Sequence, residues 1–156
     1  MDRTLKSISD SMIDRYSKRY HKLGYHVNTL GWGTTEQQEY RFSQTLDLAT
    51  GFDGKAVLDI GCGFGDYFNF LKNNHVPFDS YTGYDLNPDL IHEAGKQHTG
   101  DDRAHFEVAN ILETSRDEPL ADVATMFGVL NLNLKGQVDN YEYSKKIISN
   151  AFSLVK

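Results

Sequence analysis

Asp59, the glycines at 61, 63 and 65, and Asp85 are the residues of this chain whose types and spacing can do chemistry together. The stretch Val57-Leu58-Asp59-Ile60-Gly61-Cys62-Gly63-Phe64-Gly65-Asp66 runs an apolar segment into an acid, then into three glycines at alternate positions, then into a helical pattern. In a parallel α/β sheet, ligands sit at the carboxyl ends of the strands, where the strand order reverses. Gly61 permits a tight exit from the strand, Gly63 removes a side chain that would block a close approach, and Gly65 lets the following helix pack near the strand. Asp85 stands 26 residues after Asp59, at the end of the next apolar run. A carboxylate there accepts hydrogen bonds from both hydroxyls of a ribose, each charge-assisted bond being worth roughly 1.5–3 kcal/mol.

The spacing selects among nucleotide-like ligands. The dinucleotide fingerprint is G-x-G-x-x-G, with a helix N-terminus facing a pyrophosphate. This chain has G-x-G-x-G, and Asp66 takes the place of the third dinucleotide glycine. A carboxylate at that point repels a pyrophosphate, which disfavours an NAD-dependent oxidoreductase. Asp59 and Asp66 together suit a ligand with positive groups and no phosphates. S-adenosylmethionine, with its ammonium, sulfonium, ribose and adenine, fits.

The elements that must position these residues follow from pattern. Residues 4–22 carry Leu5, Ile8, Met12, Ile13, Tyr16 and Tyr20 at near-helical spacing, with Arg15, Lys18, Arg19 and Lys22 on a polar face read as solvated. Leu23-Gly24-Tyr25-His26 and Leu30-Gly31-Trp32-Gly33 are too glycine-rich for a regular element. Thr34 or Thr35 caps a helix over residues 36–50, ending near Gly51. From Lys55 the pattern alternates. Strands are expected at residues 56–60, 81–85, 105–108 and 122–127. A helix from Asp66 buries Phe70 and Leu71, and one from Asn87-Pro88 runs to about Gln97. A last amphipathic helix, residues 138–155, turns Ile147, Ile148, Ala151, Phe152 and Val155 inward. Such alternation implies an α/β, Rossmann-like parallel sheet with helices on both faces.

At these residues the sequence resembles the class I S-adenosylmethionine-dependent methyltransferases. Residues 57–65 are similar to their first motif almost letter for letter, and Tyr81-Thr82-Gly83-Tyr84-Asp85-Leu86-Asn87 to the second. Phe106-Glu107-Val108-Ala109-Asn110-Ile111 and Ala121-Asp122-Val123-Ala124-Thr125-Met126-Phe127-Gly128-Val129 are similar to the less specific third and fourth. The resemblance spans residues 55–132. It implies that Asp59 and the backbone of Gly61, Cys62 and Gly63, followed by Gly65, hold the methionine portion. It implies that Asp85 takes the ribose, Leu86 packs on the adenine, Asn110 faces the adenine amino group, Phe127 and Gly128 line the pocket, and Ile111 is a further cofactor-binding residue. Asn110 departs from the family's commoner Asp and keeps an acceptor oxygen without the charge. Trp32-Gly33, Gln38 and Arg41-Phe42 resemble an element that precedes the domain in some small members. Arg41 then pairs with the cofactor carboxylate and Trp32 covers the site. A core Trp and a solvated Arg are the alternatives, and the sequence leaves both open.

The bulk numbers set limits. At 156 residues the chain suffices for one domain with a real core. Residues 1–52 are read as a helical, aromatic segment packing on that core, and residues 53–156 as the cofactor-binding domain. A net charge of −6 argues against nucleic acid and anionic membrane as partners. The single cysteine precludes an internal disulfide, and with no secretory pattern at the start the cytoplasm is expected. The six histidines lack zinc-site spacing, so no metal is expected. Family members usually have seven strands and the pattern here gives four, so the domain is expected to be incomplete, truncated after its fourth strand and helix. That leaves an open edge expected to pair with a second copy. No catalytic base is evident, and Val129-Leu130-Asn131-Leu132 stands where one amine-methylating subgroup has Asn-Pro-Pro-aromatic. The expected function is methyl transfer from S-adenosylmethionine to a small-molecule acceptor. The alternative is an inactive cofactor-binding fragment.

Overall fold

The computed structural model describes residues 3–131, 134 and 138–156. Among them, four short strands form one parallel sheet: β1 (Ala56–Ile60), β2 (Ser80–Asp85), β3 (Ala104–Val108) and β4 (Val123–Met126). The order is β3-β2-β1-β4. The chain lays β2 and β3 outward on one side of β1, then crosses back to place β4 on the other. That reversal puts a switch point, the usual ligand crevice of such sheets, at the carboxyl ends of β1 and β4.

The period-two alternation of β1 divides the interior into two cores. Val57 faces a largely aromatic cluster with Phe42, Tyr67, Phe68, Leu71 and Tyr81. Leu58 and Ile60 face the other, with Leu5, Ile8, Tyr84, Ile147 and Ala151. Leu58 is fully buried, and burying such a side chain contributes roughly 1.5–3 kcal/mol.

Before the sheet come α1 (Arg3–Leu23), a 3-10 turn at Val27–Leu30, α2 (Thr35–Ser43), α3 (Leu46–Ala49) and a second 3-10 turn at Thr50–Phe52. The glycine-rich segment thus holds one short ordered turn, fitted between Gly24 and Gly31. Thr34 caps α2, its hydroxyl accepting from the Gln37 amide at 3.2 Å. The single helix expected over residues 36–50 is broken after Ser43. There the Thr45 hydroxyl donates to the Phe42 carbonyl at 2.7 Å and meets Tyr67 Oη at 2.8 Å. A side chain that takes a backbone carbonyl in this way competes with helix continuation.

Between and after the strands lie α4 (Asp66–Asn73), α5 (Pro88–Gln97) and α6 (Asn140–Ser153). α4 buries Tyr67, Phe68 and Leu71, whereas Phe70, expected inward, is half-buried. α5 starts as its sequence demands. Asn87 Oδ1 accepts from the Asp89 and Leu90 amides at 2.9 and 3.1 Å, and Pro88 takes the first helical position. α6 turns Tyr143, Ile147 and Ala151 inward, with Ile148 half-buried. Phe152, expected inward, is 72% exposed. Beyond α6, Val155 forms a parallel bridge with Ala121, just ahead of β4. Among the described residues β4 otherwise keeps a free edge. No helix among them is long and apolar enough to cross a membrane.

Candidate functional site

The exit from β1 builds the floor of the site. Gly61 and Gly63 have φ of +76° and +55°, a region that strongly favours glycine. The amides of Gly61 and Cys62 both donate to the Tyr84 carbonyl, at 2.7 and 3.0 Å, which ties the turn to β2. A Cβ on Gly63 would lie 2.8 Å from Leu30 Cδ2. The close approach expected at Gly63 is therefore made by the chain's own Leu30, and it brings Gly31 and Trp32 onto the crevice. A Cβ on Gly65 would lie 2.6 Å from Phe106 Cε1 and 2.8 Å from His98 Nε2. Gly65 thus serves packing between α4 and its neighbours and does not line the cleft.

Asp85 ends β2 beside this turn. Its Oδ2 accepts from the Gly63 amide at 3.0 Å and its Oδ1 from the Asn87 amide at 2.9 Å. Two backbone donors fix the carboxylate and leave acceptor capacity on both oxygens. Burial raises its pKa, opposed by these amide hydrogen bonds. Asp59, buried on β1, has both oxygens engaged. Tyr81 Oη donates to Oδ2 at 2.5 Å and Thr125 Oγ1 to Oδ1 at 2.9 Å. Burial pushes its pKa up to about 6, against those two hydrogen bonds and with the help of the Asp85 and Asp66 charges. The Cys62 thiol is buried, and its pKa is raised well above the ordinary thiol value by that burial and by the two aspartates. It fills space in the turn as a neutral group.

Asp66 does not border the cleft. Its carboxylate accepts from Tyr25 Oη at 3.1 Å and from Gln38 Nε2 at 3.0 Å. A fixed carboxylate therefore occupies the N-terminus of α4, the place where a pyrophosphate would dock in a dinucleotide site.

A cleft of about 410 Å³ opens over the switch point, within the range of small-molecule sites. It brings together Trp32, Asp59, Gly61, Cys62, Gly63, Asp85, Leu86, Asn110, Ile111, Phe127 and Gly128, all expected from the sequence. Asn110 Oδ1 accepts from the Leu112 amide at 3.0 Å, and its amide nitrogen lies 3.5 Å from Ser9 Oγ of α1. Trp32 is half-buried, with Cζ2 3.9 Å from where a Cβ on Gly128 would stand, so the indole lies over the β4 exit. Phe127 packs edge-on against Phe42 at a centroid distance of 4.9 Å. Arg41 is exposed and lies outside the cleft lining. Of the four residues after Gly128, Val129 and Asn131 line the cleft and Leu132 lies outside the described residues.

The sequence did not single out α1 as a wall of the site. Met12, Ile13, Arg15, Tyr16 and Arg19 all face the cleft. α1 is latched over it by polar bonds. Asn87 Nδ2 donates to the Ile13 carbonyl at 2.9 Å and to Ser17 Oγ at 3.0 Å, and Tyr20 Oη donates to the buried Glu93 at 2.5 Å. The available signal was the width of the helix's apolar stripe, which at about 100° per residue spreads from Ile8 through Leu5 and Tyr16 to Ile13, wider than packing on one neighbour requires.

The model of a methyltransferase domain family matches residues 58–155, well over half of the chain. A curated Mycobacterium tuberculosis protein, "Putative methyltransferase Rv1506c", is 30% identical over 90 residues, which are 58% of this chain and 51% of that protein. The chain thus spans about half the length of the curated relative it matches. Among solved structures, the N-methyltransferase NodS of Bradyrhizobium japonicum, in complex with S-adenosylhomocysteine, superimposes with a TM-score of 0.67 at 19% identity. The match covers 91% of this chain and 68% of NodS. Phosphoethanolamine N-methyltransferase 1 of Haemonchus contortus, in complex with phosphoethanolamine and S-adenosylhomocysteine, gives 0.68 at 16% identity. That match covers 95% of this chain and 30% of the enzyme. Both likenesses extend the Rossmann-like methyltransferase fold to this chain, and the family match shows that it belongs to the methyltransferase domain family.

Proposed function

We propose that the cleft binds S-adenosylmethionine and that the chain transfers its methyl group to a small-molecule acceptor. The observation that carries this reading is Asp85. Its carboxylate is clamped by the Gly63 and Asn87 amides at the head of the cleft and still presents acceptor capacity toward it. The donor set fits the ligand without phosphates. Asp85 suits a ribose diol, Leu86 and Ile111 suit the faces of an adenine, and Asn110 suits its edge. Asp59, at the floor, suits an ammonium group. When bound, S-adenosylmethionine supplies a sulfonium-borne methyl that an acceptor lone pair displaces, leaving S-adenosylhomocysteine.

The chain's own residues supply position. Trp32, Phe127 and α1 wall the cleft, and holding acceptor and methyl in line there is itself worth several kcal/mol of barrier. Asn131 and Tyr143, both on the cleft wall, bound the side from which an acceptor would arrive. The net charge of −6 supports a small acceptor over a nucleic acid. In this reading residues 1–52 form the cover and residues 53–156 the cofactor-binding part, in a cytoplasmic protein whose β4 edge pairs with a second copy.

Calorimetric titration with S-adenosylhomocysteine tests the cofactor, with NADH as comparator. Saturable binding of the first and none of the second is expected. The reverse pattern, or heat from neither, sinks the proposal. A screen of methyl transfer from labelled cofactor to amine, carboxylate and hydroxyl acceptors then tests turnover.

A further inference from the structure

We propose that Arg19 of α1 receives the carboxylate at the amino-acid end of the cofactor. This rests on the reading of the cleft as an S-adenosylmethionine site and adds a residue to it. Arg19 is half-buried and lines the cleft wall, where its guanidinium has five donors to place. Among the described residues no carboxylate pairs with it. It lies above the Tyr16 ring at 5.5 Å from the centroid, a contact that orients the planar head without using its donors. Neither acid of the cleft pairs with it: Asp85 is held by two amides and Asp59 by Tyr81 and Thr125.

Placement along α1 supplies the second argument. The helix crosses the cleft from the adenine end to the opposite end. Ser9 stands at Asn110, and Ile13 and Ser17 stand at Asn87, next to Asp85. Arg19 comes last, with Nη1 3.1 Å from where a Cβ on Gly31 would be, and Leu30 in turn lies on Gly63. Ser9 and Arg19 are ten residues apart, about 15 Å along a helix rising 1.5 Å per residue. The contacts therefore run in the order adenine, ribose, amino-acid end. A carboxylate is the group of that end which matches a planar guanidinium fork. Arg15 also reaches the cleft wall but is exposed, and Arg41 is outside the lining.

The test is titration of wild type, Arg19→Gln and Arg19→Lys with two ligands: S-adenosylhomocysteine, and 5′-methylthioadenosine, which keeps the adenine, ribose and thioether but lacks the amino-acid end. Thermal melts without ligand check the fold of each variant. Arg19→Gln is expected to weaken S-adenosylhomocysteine about 10–100-fold and methylthioadenosine less than about 2-fold. Arg19→Lys, keeping charge without the fork, is expected to recover part of the loss. Equal weakening of both ligands, or unchanged affinity for S-adenosylhomocysteine, overturns the proposal. An effect on turnover alone assigns the guanidinium to the acceptor and also overturns it. If wild type binds methylthioadenosine but not S-adenosylhomocysteine, the carboxylate assignment falls while the nucleoside site stands. Binding of neither removes the cofactor reading and this inference with it.

Discussion

Replacing Asp59 by Asn should change how stability depends on pH more than it changes stability itself. Asp59 is a buried carboxyl whose pKa is raised to about 6, mainly by burial, against about 3.9 for an unfolded aspartate. Below pH 4 the group is protonated in both states, and the folded state keeps its full advantage. Between pH 4 and 6 the unfolded chain ionises first, so stability falls as pH rises. Above pH 6 the cost is constant. A difference of about two pKa units corresponds to about 3 kcal/mol, of which about 2 kcal/mol develops between pH 4.5 and 7.5. Asn has no such titration, and it can still accept a hydrogen bond from Thr125 while donating to Tyr81. Urea unfolding of wild type and Asp59→Asn at the two pH values gives the answer as a difference of differences. This design cancels carboxylates that act in the opposite sense, such as Glu93, whose pKa is held down by hydrogen bonds from Lys96, Tyr20 and Gln97. The variant should gain about 2 kcal/mol relative to wild type on going from pH 4.5 to 7.5. A gap between the two proteins that stays constant within about 0.5 kcal/mol would show that Asp59 is ionised throughout, and the electrostatic account of the cleft floor would be wrong.

Asp85→Ala should weaken S-adenosylhomocysteine binding by about 2–4 kcal/mol, the worth of two charge-assisted bonds to a ribose; unchanged affinity by titration would remove the ribose assignment. Asn87→Asp keeps the side-chain oxygen that caps α5 but loses the donor to Ile13 and Ser17. Hydrogen exchange should therefore accelerate in α1 while β1 and β2 stay protected, and uniform acceleration would contradict the latch. Gly63→Ala meets both a φ of +55° and Leu30 at 2.8 Å, so it should cost at least about 1–2 kcal/mol in thermal unfolding and also loosen Trp32, read by its fluorescence. The free edge of β4 should support association at high concentration, and sedimentation showing monomer throughout would argue against pairing there.

What was legible in the sequence was local. The Asn87-Pro88 start of α5, the Thr34 cap and the strand-to-glycine turn each depend on a few neighbouring residues, and each forms where its chemistry requires. The partners of Asp59 were not legible, because Tyr81 and Thr125 come from β2 and β4, strands that meet β1 only in the folded sheet. Phe152 marks the limit of periodicity. Along α6 the stripe of Tyr143, Ile147 and Ala151 and the stripe of Tyr141, Ile148 and Phe152 are both apolar. Only packing decides that the first faces the core while Tyr141 and Phe152 are left exposed. Asp66 illustrates the same limit for charge: the glycine spacing puts it beside the ligand, but Tyr25 and Gln38 of the N-terminal segment take its carboxylate and it does not border the cleft.

α1 explains why the N-terminal segment reads ambiguously. Leu5 and Ile8 are buried in the core, and Met12 packs against that core as well as facing the cleft. Further on, Ile13 and Tyr16 face the cleft, Tyr20 packs against Phe64, and the helix is held there by polar bonds to Asn87 and Glu93. Its first half is thus anchored by burial of apolar area, and its second half by a few hydrogen bonds worth about 1 kcal/mol each. An apolar stripe that faces a ligand has the same periodicity as one that faces a core, so hydrophobic spacing alone assigns both to the interior. The same blindness placed Arg19 with the solvated cations. A charged side chain that lines a cleft differs from one in water only through the elements opposite it, and here those are Gly31, beyond the end of the helix, and the β1 turn, some forty residues on.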